Sequence, residues 1–410
     1  MILLSHPTGN EFVRQAVTAF DHAGMLGEFW TTLNWNPNGR LNRLLPQSLR
    51  DRLRRRSFPE SVRPRTRTVP LRETIRLLAG VVGFSSRHEL GAFSIDRVSR
   101  ELDGRVANRL RKVGDYHLVY AYEDAALQSF RAARDRGLKR VYDLPIAYWE
   151  TTQRLLGEEA QRYPEWEPTL GGTRDSEEKL SRKTQELELA ELVICPSAFV
   201  LESLPTRARM EKRCLVVPFG SPTVDLKANA PRENVRSPLR LLFAGALTQR
   251  KGLADLFAAM KLIGSKKIEL VVMGSLLRPL SWYRQRFADF IYEPPRPHDE
   301  VLRLMQSCDI LVLPSIVEGR ALVQQEAMAC GLPVIASKNA GCDDLIAEGE
   351  TGFLVPIRSP EEIAEKISWC LANRSRIRGM GIAARERASE FTWRFYGESI
   401  VAAVRALICE

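Results

Sequence analysis

No stretch of this sequence approaches the roughly 20 consecutive apolar residues that span a bilayer, because charges interrupt every candidate run. The opening residues Met1–Pro7 carry neither a basic stretch nor a long apolar one, so they predict a first strand rather than an export signal. Cysteine is sparse. The seven residues (195, 214, 308, 330, 342, 370 and 409) include no Cys-x-x-Cys pair. An odd set without an export signal predicts reduced thiols and a cytoplasmic location rather than a disulfide scaffold. Internal repeats and low-complexity tracts are also missing, which excludes solenoid and collagen-like chains. What is present is ordinary globular material: 44% of the 410 residues are hydrophobic and 27% charged, enough for two large cores. That length predicts two or three domains.

One region is short of acid. Lys and Arg total 60 against 50 Asp and Glu, a net charge of +10. Between Arg40 and Arg76 there are twelve arginines and three acids, a local excess of nine. Leu41, Leu44, Leu45, Leu49 and Leu53 recur there at helix-like spacing, so the run reads as basic and amphipathic. A solvated insertion and a surface for an anionic membrane or lipid diphosphate both fit, the latter placing the protein at the inner face of a membrane. Nucleic acid is set aside, because no aromatic interleaving or nucleic-acid module accompanies the charge.

Short apolar runs alternate with helical stretches along the chain. In the first half, strands are predicted at Ile2–Leu4, His117–Tyr122, Arg140–Leu144 and Leu192–Pro196. Helices are predicted near Glu11–Ala23, Ala125–Arg136 and Ser176–Ala190. The hydrophobic pattern stops over Lys227–Pro238, which reads as a linker. It then restarts, with strands at Leu239–Ala244, Ile268–Met273, Ile310–Leu313 and Val334–Ala336. Helices are expected at Gly252–Ile263, Asp299–Gln306, Leu322–Ala329 and Pro360–Ala372. Two successive βα arrays predict an α/β protein of two Rossmann-like domains facing each other across a cleft, at 1–228 and 239–392. The amphipathic stretch to residue 410, beginning near Thr392, is expected to pack back on the first domain.

In open parallel sheets, ligands bind beyond the carboxyl ends of the strands, so the loops there carry the chemistry. After Ile310–Leu313 the chain runs Pro314-Ser315-Ile316-Val317-Glu318-Gly319-Arg320-Ala321 into a helix. The free N–H groups and positive dipole end of that helix suit a diphosphate, and Gly319, without a Cβ, would let a phosphate approach closely. Glu326 follows Glu318 by eight residues, so the two carboxylates can reach different groups along one ligand, such as sugar hydroxyls.

This segment, continuing through Glu326-Ala327-Met328-Ala329-Cys330-Gly331-Leu332-Pro333, resembles the Glu-x7-Glu signature of retaining glycosyltransferases of family 4, which have the GT-B fold. Phe243-Ala244-Gly245…Arg250-Lys251-Gly252 and Glu350-Thr351-Gly352-Phe353-Leu354-Val355 fit the same family, so the resemblance covers about residues 239–392. It implies that Glu318 contacts the transferred sugar and Glu326 the ribose of a nucleotide-sugar donor. Lys251 and Arg250 would neutralise the diphosphate, with backbone N–H groups of Gly319, Arg320, Ala321 and Leu322 adding hydrogen bonds. Gly245 belongs to the cation loop, Gly274 would lie near the base, and Gly9 and Asn10 would line the cleft from the first domain. The acceptor would be a glycan or lipid-linked molecule in surface polysaccharide or glycolipid assembly. No cofactor and no metal are implied, the nucleotide-sugar being the substrate.

The chain departs from that pattern in places. Arg320-Ala321 stands where relatives carry Phe-Gly, so Arg320 would either add a phosphate contact or shield the turn. Ala246 replaces an arginine of the cation loop, a role Arg250 could take. Asp143 stands where relatives place a first-domain histidine; it is either an acceptor-side catalytic group or a turn residue. His6 and His117 are further candidates, each equally readable as structural, and Asp343-Asp344 reads as helix-capping acid rather than a metal pair. Other functions remain open at this point. They are a sugar-nucleotide epimerase or phosphorylase, a non-catalytic sugar-nucleotide sensor, and an anionic-surface adaptor.

Overall fold

The computed structural model describes residues 1–39, 42, 45, 47–81, 89, 91, 94–112, 114–224 and 238–409. Most of the expected linker, 227–237, therefore lies outside the described residues, as do Arg40, Leu41, Arg43 and Leu44 of the basic run.

Thirteen strands are described. In the first lobe they are β1 Ile2–Ser5, β2 Leu26–Thr31, β3 Thr66–Thr68, β4 Leu118–Tyr122, β5 Lys139–Asp143, β6 Leu192–Cys195 and β7 Arg213–Val216. In the second they are β8 Leu239–Ala244, β9 Ile268–Met273, β10 Ile291–Glu293, β11 Ile310–Leu313, β12 Val334–Ser337 and β13 Gly352–Val355. The first sheet has the order β3-β2-β1-β4-β5-β6-β7 and the second β10-β9-β8-β11-β12-β13, with every pairing parallel. Both sheets are covered by helices, so their central strands are apolar on both faces: Ile2, Leu3 and Leu4 are fully buried, as are Ile310 to Leu313. This is the GT-B architecture.

The strand order reverses between β1 and β4 in one sheet and between β8 and β11 in the other. Crevices form at such reversals. The loops that leave β1, β8 and β11 there are His6–Asn10, Gly245–Lys251 and Pro314–Ala321.

Two segments tie the lobes together. Helix Trp393–Cys409 buries Tyr396, Ile400, Val404 and Leu407 against the first lobe, and Gly397 sits where a Cβ would come within 2.8 Å of the Ala19 methyl on helix Glu11–His22. Helix Trp149–Arg162 and the 3-10 turn Pro164–Thr169 cross the other way. Trp166, 2% exposed, joins the core of the second lobe, its ring 4.9 Å from Trp282 and 6.0 Å from Phe257. This brace has no counterpart in the expected element list, nor does helix Ile95–Lys112. In the latter, Asp96, Ser99 and Asp103 interrupt the buried face; Asp103 accepts from the N–H groups of Gln128 and Ser129 at 2.7 and 2.9 Å.

The basic run is less free than its composition implies. Arg56 and Arg76 share buried Glu73, and carboxylates outside the run meet Arg65 (Asp21), Arg67 (Glu28) and Arg72 (Glu101).

Candidate active site between the lobes

β8 ends at Ala244, and the chain turns through Gly245 and Thr248 into a single 3-10 turn, Gln249–Lys251. The Thr248 hydroxyl caps that turn by accepting from the Arg250 N–H at 3.1 Å, and donates to the Thr169 carbonyl of the brace at 2.7 Å. Gly245 has φ +145°, and a Cβ there would lie 2.7 Å from Lys251 Cε; glycine is what lets the lysine stem pass. Gly274, at the end of β9, packs on the Gly245 carbonyl.

Lys251 and Arg250 converge on one carboxylate. Lys251 Nζ forms a short ion pair with Glu318 Oε1, and Arg250 Nη1 lies 3.2 Å from the same oxygen. Arg250 also donates to the Val317 carbonyl at 2.8 Å, and its own carbonyl accepts from Ile316 N–H at 2.8 Å, which stitches the two loops together. Burial pushes the Glu318 carboxyl up, but Lys251 and then Arg250 outweigh it and hold the group below the usual range. Two cations on one carboxylate leave an unmatched positive charge beside helix Leu322–Ala329, whose start no side chain caps.

The Glu318–Gly319 turn faces the first lobe and touches it. The Glu318 carbonyl accepts from Ala147 N–H at 3.3 Å, and the Gly319 carbonyl from Ser197 Oγ at 2.7 Å. A Cβ on Gly319 would lie 1.8 Å from the Pro145 carbonyl oxygen. The space expected for a phosphate on that side is thus taken by backbone of the opposite lobe, and the glycine serves lobe contact.

The other expected site residues are placed as follows. Arg320 is fully buried at its side chain, where Nη1 donates to both carboxylate oxygens of Asp344, at 2.7 and 2.8 Å, and the guanidinium lies over the Phe391 ring. Nη1 and Nε are held by Asp344 and Gln325 while Nη2 is buried without a hydrogen-bond partner, so the side chain lies where it shields the turn, and Asp344 has a pairing role instead of a cap. The Ala321 N–H donates to the Ala340 carbonyl at 3.2 Å, so it too is already used. Leu322 packs against the first-lobe core. Glu326, partly exposed, faces His298 Nδ1 at 3.6 Å; burial raises its carboxyl, opposed by His298. His298 was not foreseen. It opens helix His298–Gln306, after a proline-rich stretch that gives no periodic signal.

Asp143 is 1% exposed and accepts from the Tyr120 hydroxyl at 2.5 Å inside the first lobe. Burial pushes its carboxyl up to about 7. That burial removes it from the side chains able to meet an acceptor. Gly9 (φ +45°) backs onto Phe58, whose ring would lie 2.5 Å from a Cβ, while Asn10 is exposed at the start of helix Glu11–His22. His6 is buried against Tyr122 with Nδ1 accepting from Thr8 N–H at 3.0 Å, and burial lowers its pKa to about 3. His117 lies at the opposite end of the sheet, beside the Met1 amino group.

A second network, missed in the sequence, anchors the cation loop from behind. Gln249, fully buried, donates to Glu159 at 2.6 Å and Asp255 at 2.7 Å and accepts from Ala254 N–H at 2.8 Å. Arg162 pairs with Asp255 at 2.6 Å; Arg358 pairs with Glu158 at 2.7 Å and, more tightly, with Glu159.

The sequence profile of the family described as "Glycosyl transferases group 1" matches residues 227–387. The second lobe is thus similar to the glycosyl transferases group 1 domain. Consistent with that domain, the chain is 30% identical over 193 residues to D-inositol 3-phosphate glycosyltransferase of Paenarthrobacter aurescens, covering 42% of this chain and 47% of that protein. An uncharacterized glycosyltransferase of Methanocaldococcus jannaschii is 30% identical over 154 residues, 37% of this chain and 44% of that one. The matches thus span less than half the length of these relatives. Across the whole chain the fold is similar to sucrose-phosphate synthase from Thermosynechococcus elongatus (TM-score 0.68, 20% identity, covering 100% and 99% of the two chains). It is likewise similar to Anabaena HepE, solved with UDP-glucose (TM-score 0.62, 17% identity, 99% of each chain). The group 1 domain holds both Glu318 and Glu326 and the cation loop.

Proposed function

We propose that this chain is a retaining, metal-independent glycosyltransferase of family 4 that moves a sugar from a nucleotide-sugar donor to a glycan or lipid-linked acceptor. Surface polysaccharide or glycolipid assembly is the setting this reading favours. The observation that carries it is the convergence of Lys251 and Arg250 on Glu318 at an uncapped helix start facing the other lobe. In the free protein the two cations are held by Glu318. A donor diphosphate would draw them off, leaving Glu318 to accept hydrogen bonds from the sugar. The names of the group 1 relatives and the UDP-glucose of HepE support the donor class.

In the reaction the bond between the anomeric carbon and the diphosphate oxygen breaks, and the electron pair leaves with the diphosphate. Lys251, Arg250 and the helix start stabilise that charge, which preorganised cations and dipoles do without a metal ion. The acceptor oxygen bonds to the same face of the sugar, and its proton passes to a leaving phosphate oxygen. Glu326, with His298 beside it, would hold the ribose. Closure of the lobes would keep water from the donor.

The test is product analysis with a panel of isotopically labelled nucleotide-sugars, with and without chelator. Transfer with unchanged anomeric configuration, insensitive to chelator, is expected. An inverted product, or a covalent sugar adduct on any side chain, would overturn the mechanism.

A further inference from the structure

Helix Pro70–Val81 buries Leu77 and an acid on its inner face and turns three large apolar side chains outward. Glu73 is fully buried, held by Arg56 and Arg76, while Leu71 is 67% exposed, Ile75 38% and Leu78 51%. Spacings of four and three place those three side chains on one helical stripe. A soluble helix normally presents the reverse arrangement, with its apolar stripe inward. The helix leaves the carboxyl end of β3, the edge strand, and so starts from the same end of the sheet as the Gly9 loop. Half-exposed Arg72 stands on the same helix, and half-exposed Arg65 and Arg67 on the chain that leads into it, each with one carboxylate; Arg54 and Arg55, earlier in the run, are exposed.

We propose that Leu71, Ile75 and Leu78 form an insertion stripe that docks the first lobe onto an anionic lipid bilayer, with the surrounding arginines meeting the head groups. The occupant is chosen by charge complementarity. Among the described residues, the exposed Arg54 and Arg55 and the half-exposed Arg65, Arg67 and Arg72 outnumber the acids Asp21, Glu28 and Glu101 that meet them, so this part of the lobe is positive. An apolar stripe with a cationic rim is the arrangement of a helix lying in the membrane interface. The proposal deepens the reading of a lipid-linked acceptor: it brings the cleft-facing rim of the first lobe to the leaflet that carries such a molecule. It also moves the contact from the leucines at 41–53, which the sequence singled out, to a helix the sequence did not.

The test is co-sedimentation with vesicles of phosphatidylcholine alone and of phosphatidylcholine with phosphatidylglycerol. The full chain is compared with the triple variant Leu71→Ser, Ile75→Ser, Leu78→Ser and with Arg54→Gln, Arg55→Gln. All five positions are exposed, and circular dichroism checks the fold. The parent should partition about tenfold or more in favour of the anionic vesicles. The triple variant should lose about tenfold or more of that partitioning, and the arginine variant should lose less and mainly at low salt. Parent binding that is absent, or equal in the triple variant, overturns the proposal. So does light scattering that finds a parent dimer and a monomeric triple variant, which would assign the stripe to a second copy. Calorimetry with nucleoside diphosphates is run in parallel and should be unchanged in both variants; loss of nucleotide binding by the parent would count against the transferase reading, not the stripe.

Discussion

Two buried carboxylates flank the Thr248–Lys251 turn, and they differ in what surrounds them. Glu159 comes from the first lobe and sits among Arg162, Arg358, Gln249 and Asp255, a set in which each charge has an opposite partner within the protein. Glu318 has two cations on one oxygen and, among the described residues, no further acid pairs with them. The first network is closed and holds a loop still. The second is left one negative charge short. A balanced buried network marks a fastening; an unbalanced one marks a place for a ligand.

Substitutions should separate the two. Glu159→Ala removes a buried acceptor from Arg358 and Gln249, which keep Glu158 and Asp255, and should cost about 1–3 kcal/mol of stability, read by urea unfolding. Lys251→Ala should leave stability nearly unchanged, because Arg250 remains on Glu318, but reduce kcat by on the order of 10²–10³ in a steady-state transfer assay. If the two variants exchange these effects, the comparison is wrong.

Asp143 supplies a third case, a buried carboxyl with no cation. Its folded pKa, raised to about 7 by burial, lies above that of the unfolded chain. The folded state therefore holds the proton more tightly, and this group's contribution falls as pH rises from the unfolded value toward 7. Asp143→Asn should remove that fall. The stability difference between variant and parent should widen by roughly 1.4 kcal/mol per pH unit across that window and level off above it. A difference flat from pH 4 to pH 8 would contradict the assignment. The smallest effect is expected at Glu326→Ala, about a tenfold rise in Kd for a nucleoside diphosphate by calorimetry, with little change in melting temperature.

How much of this was legible follows from where the signals are local. β8, β9, β11 and β12 are short apolar runs that end in turn residues, so both the second-lobe strands and the Glu318 turn could be read along the chain. The brace could not. Trp166 and Glu159 act on residues about a hundred positions away, and nothing in the sequence around Trp149–Thr169 marks its inner face as belonging to the other lobe. β2 gives no strand signal because Gly27 and Glu28 break its apolar pattern; Glu28 is buried with Trp30, Arg67 and, far along the chain, Arg109 as its partners. For the same reason the reading of Gly319 went astray and that of Arg320 stayed open between two roles. Pro145 and Asp344 decide what those residues do, and neither is a sequence neighbour.

The central claim is that the Lys251–Arg250–Glu318 group lacks one anion, and titration calorimetry of the parent and Lys251→Ala with a panel of nucleoside mono- and diphosphates tests it most directly. The account predicts that at least one diphosphate binds the parent more tightly than its monophosphate, and that Lys251→Ala erases most of that advantage. Equal affinity of parent and variant for the diphosphate would contradict it.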